Sequence, residues 1–173
     1  IVYMGMGEPL LNYKNVIQSI RLACCPNEGL GISPKRITIS TSGISKMIDK
    51  LAHENLRCNL ALSLHSADDD IRSSLMKIND SNNVESLSKS LKYFYEQTKI
   101  RPTIEYTLLK GVNDKISDAH KLASFCKNFP TKINIIEYNK IDNGLFEKST
   151  PSNTEAFINY IKRKNIPITY RIS

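Results

Sequence analysis

Apolar residues along this chain switch repeatedly between two periods. Runs at residues 1–6 (IVYMGM), 36–41 (RITIST), 59–65 (NLALSLH), 101–109 (RPTIEYTLL), 132–139 (KINIIEYN) and 167–173 (PITYRIS) read as strands, each bounded by polar or turn-forming residues. Between them, segments 13–25, 45–55, 68–76, 84–98, 117–128 and 152–164 follow helical spacing. Within 84–98, Val84, Leu87, Leu91, Phe94 and Tyr95 form one apolar stripe. Asn82 or Asn83 is placed to cap that helix, and Ser152 to cap the last one.

Strict alternation of strand and helix predicts an α/β fold with a parallel sheet joined by right-handed crossovers. An open doubly wound sheet and a closed or partial barrel both satisfy the pattern. Either architecture puts ligand-binding residues at the carboxyl ends of strands. Those ends carry Gly7-Glu8-Pro9, then Ser40-Thr41-Ser42-Gly43, then Ser63-Leu64-His65-Ser66, then Lys110-Gly111-Val112-Asn113-Asp114, and finally Asn139.

Each piece has a plain structural reading. Gly5 and Gly7 ease a tight turn, Glu8 caps the helix that follows, Ser-Thr-Ser-Gly makes an ordinary turn, and His65 is a structural histidine. Taken together, five successive strand ends bearing small and hydrogen-bonding groups are what a pocket for a polar small molecule needs. No acid/base pair or activated nucleophile stands out by spacing, and there is no phosphate-binding glycine loop, so no catalytic residue is assigned. The rim reads as a grip for a molecule whose own chemistry does the work.

Composition changes this picture only modestly. The chain has 173 residues, enough for one domain with a real core, and 40% of them are hydrophobic. No apolar run is long enough to span a bilayer, and the expected location is the cytoplasm, with no membrane partner. Lys and Arg number 24 against 17 Asp and Glu, a formal charge of +7, which favours a polyanionic partner such as nucleic acid. The densest basic cluster, Lys162-Arg163-Lys164, falls where a helix ends and where cations suit the dipole. Cys24, Cys25, Cys58 and Cys126 contain no Cys-x-x-Cys pair and read as reduced, mostly buried thiols, with no metal ligand among them.

The blocks GMGEPLLN, ITISTSGI, LALSLHSADDDIRSSLM, IEYTLLKGVND and INIIEYN, in this order from Ile1 to about Ser173, carry a more specific message. They resemble the radical S-adenosylmethionine (SAM) enzymes that methylate adenine C2 in 23S ribosomal RNA and, in some members, transfer RNA. The resemblance implies a partial (β/α)6 TIM-type barrel, incomplete at both ends, with residues 1–173 forming a single radical SAM core domain fragment. Gly7 and Glu8 match the pair that holds the amino-acid end of S-adenosyl-L-methionine. Ser40 matches a cofactor-binding serine, while Ser63, Leu64 and His65 match a segment lining the cofactor largely through main chain. Asn139 matches an asparagine at the end of a later strand.

In such enzymes a [4Fe–4S] cluster on a Cys-x3-Cys-x2-Cys motif, fed by an electron donor, reductively cleaves SAM, and a separate cysteine first accepts the methyl group. Neither is present here. The cluster motif is expected upstream of Ile1 and the methyl-accepting cysteine downstream of Ser173, so the fragment alone is expected to be inert. Met76-Lys77-Ile78-Asn79 and Glu137-Tyr138 depart from the usual family pattern without removing a reactive group. Pro9 favours the C2-directed enzymes over C8-directed relatives, which tend to carry alanine there. The rival readings are a C8-directed relative, a non-catalytic RNA- or nucleotide-binding α/β module, and a phosphate-binding barrel enzyme acting on small metabolites.

Overall fold

The computed structural model describes residues 1–140 and 144–171. Six strands form one parallel sheet: β1 (Val2–Tyr3), β2 (Thr38–Thr41), β3 (Asn59–Ser63), β4 (Thr103–Leu108), β5 (Lys132–Glu137) and β6 (Ile168–Arg171). The helices between them are α1 (Tyr13–Cys24), α2 (Ser45–Leu51), α3 (Asp69–Leu75), α4 (Val84–Thr98), α5 (Ile116–Cys126) and α6 (Pro151–Arg163). Strand order in the sheet is β1-β2-β3-β4-β5-β6, every pair parallel.

That order decides between the two architectures left open above. A doubly wound sheet reverses direction at a switch point and covers both faces with helices. Here each crossover of the same hand steps to the next strand on the same side, so all the helices cover one face. The result is a partial barrel wall of the expected kind, with β1 and β6 unpaired to each other among the described residues.

Alternation along the strands separates the two faces. Ile39, Leu60, Leu62, Ile104, Ile133 and Ile135 are fully or almost fully buried against the helices, packed with Ile20, Ile48, Leu91, Leu122 and Phe157. The intervening residues lie on the opposite face, and they are mostly polar. Ser40 is in register with Ala61, Ser63 with Glu105, Glu105 with Asn134, and Asn134 with Thr169. Parallel strands usually bury both faces in apolar side chains. A polar inner face is therefore the first physical sign of a ligand-lined lumen.

Several boundaries are tighter than the sequence pattern predicts. The first strand stops at Tyr3 because Gly5 (φ +113°) and Gly7 (φ +98°) take backbone conformations that extended L-residues avoid. A 3₁₀ turn, Pro9–Asn12, then leads into α1. Asn83 caps α4 by accepting from the Ser86 N–H, whereas Thr150 and not Ser152 caps α6, accepting from the Asn153 N–H. Pro151, whose fixed φ suits the first helical position, moves the cap two residues earlier than Ser152, to Thr150. Residues 172–173 of the predicted last strand lie outside the described residues.

Candidate cofactor site

Because the strands are parallel, their carboxyl ends share one edge, and hydrogen bonds knit the exit loops there into a continuous rim. The Glu8 side chain is the first knot. Its Oε1 accepts from the Leu10 N–H at 2.9 Å, capping the 3₁₀ turn as the plain reading predicts. Its Oε2 accepts from both the backbone N–H and the hydroxyl of Ser42, each at 2.6 Å. Three protein donors thus occupy a group with about four lone-pair directions. Among the described residues the remaining one, on Oε1, meets no protein donor.

Gly7 precedes Glu8 with left-handed backbone, and a Cβ built there meets nothing within 4 Å. The turn therefore needs glycine for its φ and leaves open space above the chain. Ser40 and Ser63 are half-buried on the inner face, one at the middle of β2 and the other at the end of β3. Leu64 is different: its side chain is fully buried in the core, its N–H donates to Glu105 O, and its carbonyl accepts from Arg72.

His65 holds a left-handed φ of 55°, unusual for a side chain with a Cβ. Its Nδ1 accepts from the Thr107 N–H at 3.1 Å, so that nitrogen carries no proton. Burial, reinforced by the Arg72 cation, lowers the imidazole to about 4. At neutral pH His65 is a neutral wall and not a proton carrier. Asn139 lies two residues past the end of β5, exposed at the same edge of the sheet. The structure thus gathers Gly7, Glu8, Ser40, Ser63 and His65 along β1 to β3, with Asn139 at the β5 end.

Asn113 and Asp114, placed at the fourth strand end by the sequence, and Glu105 and Arg72, which the sequence pattern did not single out, do much of the tying. Asn113 is fully buried; its Oδ1 accepts from the Leu109 N–H at 2.8 Å, and its amide donates to the carbonyls of His65 (2.7 Å) and Thr107 (2.9 Å). Asp114 accepts from the Gly111 N–H, the Ser149 hydroxyl and the Asn153 amide, anchoring the β4 exit loop to the start of α6. Glu105, buried on the inner face, accepts from Asn134 at 2.8 Å, and desolvation raises its carboxyl above the usual range. Arg72, the largest fully buried side chain, donates to Ser42 O, Leu64 O, Asn82 O and Asn79 Oδ1. The available signal was weak: polar residues next to glycine at strand exits, and an arginine inside an otherwise solvent-facing acidic helix.

Two roomy clefts lie elsewhere. One of about 700 Å3 lies on the helical exterior between α4 and α5, and one of about 500 Å3 lies beside α6 and β6. Neither is lined by any of the predicted rim residues, and the strand-end chemistry outweighs their volume as a guide to the site.

A model of the radical SAM superfamily matches residues 1–123. The chain belongs to this superfamily. Among curated proteins, the probable dual-specificity RNA methyltransferase RlmN of Christiangramia forsetii is 47% identical over the whole chain, and the dual-specificity RNA methyltransferase RlmN of Nautilia profundicola is 39% identical over the same span. In each case the chain covers 49% of the relative, so it spans about half the length of the curated proteins it matches. Among solved structures, a radical SAM methyltransferase from Sphaerobacter thermophilus superposes with a TM-score of 0.95 at 35% identity, covering 99% of this chain and 50% of that one. A domain of pyruvate-formate lyase-activating enzyme from Bacteroides vulgatus shares the fold, with a TM-score of 0.73 at 18% identity over 99% of this chain and 98% of that one.

Two groups belong to radical SAM chemistry, and the residues fit only one of them. A carboxylate with one free lone pair, an open glycine turn and inner-face hydroxyls match the ammonium and ribose ends of S-adenosylmethionine. An iron–sulfur cluster finds no such set. Among the described residues no three Cys, His, Asp or Glu side chains come together, and the four cysteines sit at the ends of α1 and α5 and before β3. Cys58 and Cys126 are buried and their thiols are pushed up, to about 11 and about 12, as suits inert core residues.

Proposed function

We propose that this chain is the cofactor-binding wall of a radical SAM RNA methyltransferase, and that the whole protein methylates C2 of an adenine in 23S ribosomal RNA and in transfer RNA. The observation that carries this reading is the Glu8 carboxylate. It is set at the exit of β1 by Ser42 and Leu10, beside a glycine turn and above a polar inner face. A charge-assisted bond from a ligand ammonium completes its coordination, and such bonds are about twice as strong as neutral ones.

The division of labour follows from the side chains. Glu8 orients the amino-acid end, Ser40 and Ser63 present hydroxyls toward the ribose, and neutral His65 and exposed Asn139 line the nucleoside. S-adenosylmethionine supplies the methyl group and the one-electron chemistry; the residues here bind and orient it. The formal charge of +7 supports an RNA partner, and the dual-specificity RNA methyltransferase names of the relatives support the substrate class. No described helix is long and apolar enough to cross a membrane.

The test is anaerobic reconstitution of the full-length protein with iron and sulfide, incubation with S-adenosylmethionine, a reductant and unmodified ribosomal or transfer RNA, and mass spectrometry of the digested nucleosides. The expected product is 2-methyladenosine. Formation of 8-methyladenosine instead, or of no methylated adenosine by a cluster-loaded protein, refutes the assignment.

A further inference from the structure

Among the described residues, the buried guanidinium of Arg72 has no carboxylate within bonding distance. It donates from Nε to Leu64 O at 3.1 Å, from Nη1 to Asn79 Oδ1 at 2.8 Å and Asn82 O at 3.4 Å, and from Nη2 to Ser42 O at 2.5 Å. Asp69, whose charge favours the cation, does not bond to it and instead accepts from Asn79 Nδ2 and the Val84 N–H. Burying a cation without a counter-ion is costly, and well-packed apolar side chains often serve stability as well. Where the four bonds end is therefore informative. Two of them hold the carbonyls of the β2 and β3 exit loops at the fixed spacing of a planar fork, which a lysine cannot reproduce.

The β2 exit loop is shaped around this contact. A Cβ on Gly43 would lie 3.2 Å from Arg72 Nη2, 3.0 Å from Leu62 Cδ1 and 2.8 Å from Leu87 Cδ2, so only glycine lets the chain pass this close. One residue earlier, Ser42 turns its N–H and hydroxyl onto Glu8 Oε2. Arg72, Ser42 and Glu8 thus form one unbroken relay from the core to the rim.

We propose that Arg72 is a positioning residue for recognition of the cofactor's ammonium group: it fixes Ser42, and Ser42 fixes the Glu8 carboxylate in the orientation that leaves one lone pair toward the ligand. This rests on the reading of Glu8 given above. Arg72 also holds Leu64 O beside His65, but only the branch through Ser42 ends on a carboxylate, so the larger effect falls on the amino-acid end of the cofactor.

That selectivity is measurable in the full-length, cluster-loaded protein by calorimetry with two probes, S-adenosylmethionine and 5′-methylthioadenosine, which lacks the amino-acid moiety. Arg72→Lys is expected to weaken S-adenosylmethionine about tenfold, the loss of about one charge-assisted bond, and to leave 5′-methylthioadenosine within about twofold. Glu8→Gln is expected to give the same selective loss, and the double variant to be no worse than Glu8→Gln alone, because the two act in series. If Arg72→Lys does not fold, Asn79→Ala, which keeps the guanidinium and removes one acceptor, is expected to weaken S-adenosylmethionine alone by about threefold. Equal losses for both probes, no loss for either, or additive effects in the double variant overturn the proposal. A Glu8→Gln variant without selective loss refutes the Glu8 reading itself; selective loss there with none at Arg72 refutes only the relay.

Discussion

Acidifying the protein from about pH 7 to about pH 4 puts a proton on His65 in the unfolded chain well before the folded one accepts it. The folded imidazole titrates at about 4 and an unconstrained one at 6.5. A base lowered by folding contributes stability that is complete above its unfolded value and disappears as pH falls toward its folded value. The slope is about 1.4 kcal/mol per pH unit for one proton, so the total at stake is about 3 kcal/mol. Burial of the ring sets most of this magnitude, and the neighbouring Arg72 cation adds to it. Protonation at Nδ1 would also end the bond from the Thr107 N–H. The assay is urea denaturation of wild type and His65→Asn across this range, with imidazole NMR to follow the titration directly. Asparagine tolerates the left-handed backbone that His65 holds at φ 55° and carries no titrating ring. Glu105 and Asp118, whose carboxyls burial raises, act with the opposite sign, their cost to the folded state relieved as pH falls, and they cancel between the two proteins. The wild type is expected to lose its excess stability between about 6.5 and 4, and the variant to lack that limb. Parallel curves for the two proteins, or a His65 that titrates near its ordinary value, refute the reasoning.

Gly43→Ala forces a methyl to 2.8 Å from Leu87 at a φ of +106°, and is expected to cost about 2–4 kcal/mol in denaturation experiments. Asn113→Ala deprives the Leu109 N–H and the His65 and Thr107 carbonyls of their partner, for about 2–4 kcal/mol, and hydrogen exchange at the Leu109 amide should accelerate sharply. RNA binding by the full-length protein should weaken steeply with salt, and a filter-binding series flat between about 50 and 200 mM would contradict a phosphate-based contact.

The sequence relatives of this chain explain why its motif blocks were readable, and the structure shows where those blocks sit in the fold. Glu8 shows this locally: Oε1 caps the 3₁₀ turn as the plain reading expected, while Oε2 ties the β1 exit to Ser42 in the β2 exit loop, which no local pattern announces. Leu64 shows the reverse. It sits within a motif block, yet its side chain is in the core and its main-chain groups are engaged within the fold.

What the amino-acid order determined alone was local. The period of apolar positions distinguishes strands from helices because side chains repeat every two residues on one and about every 3.6 on the other, and this placed all six strands and six helices within a few residues. Glycines and hydroxyls at strand exits marked the rim for the same reason, since turn chemistry acts between neighbours. The periodicity left the winding of the sheet open and the family resemblance implied a partial barrel, while only the tertiary structure decided that the α6 cap is Thr150, and that Arg72 reaches Ser42 across 30 residues, Ser42 reaches Glu8 across 34, and Asn113 reaches His65 across 48. Such contacts leave no period in the chain. They arise when parallel strands bring distant exits within a hydrogen bond of one another, which is a property of the packing and not of any stretch of residues.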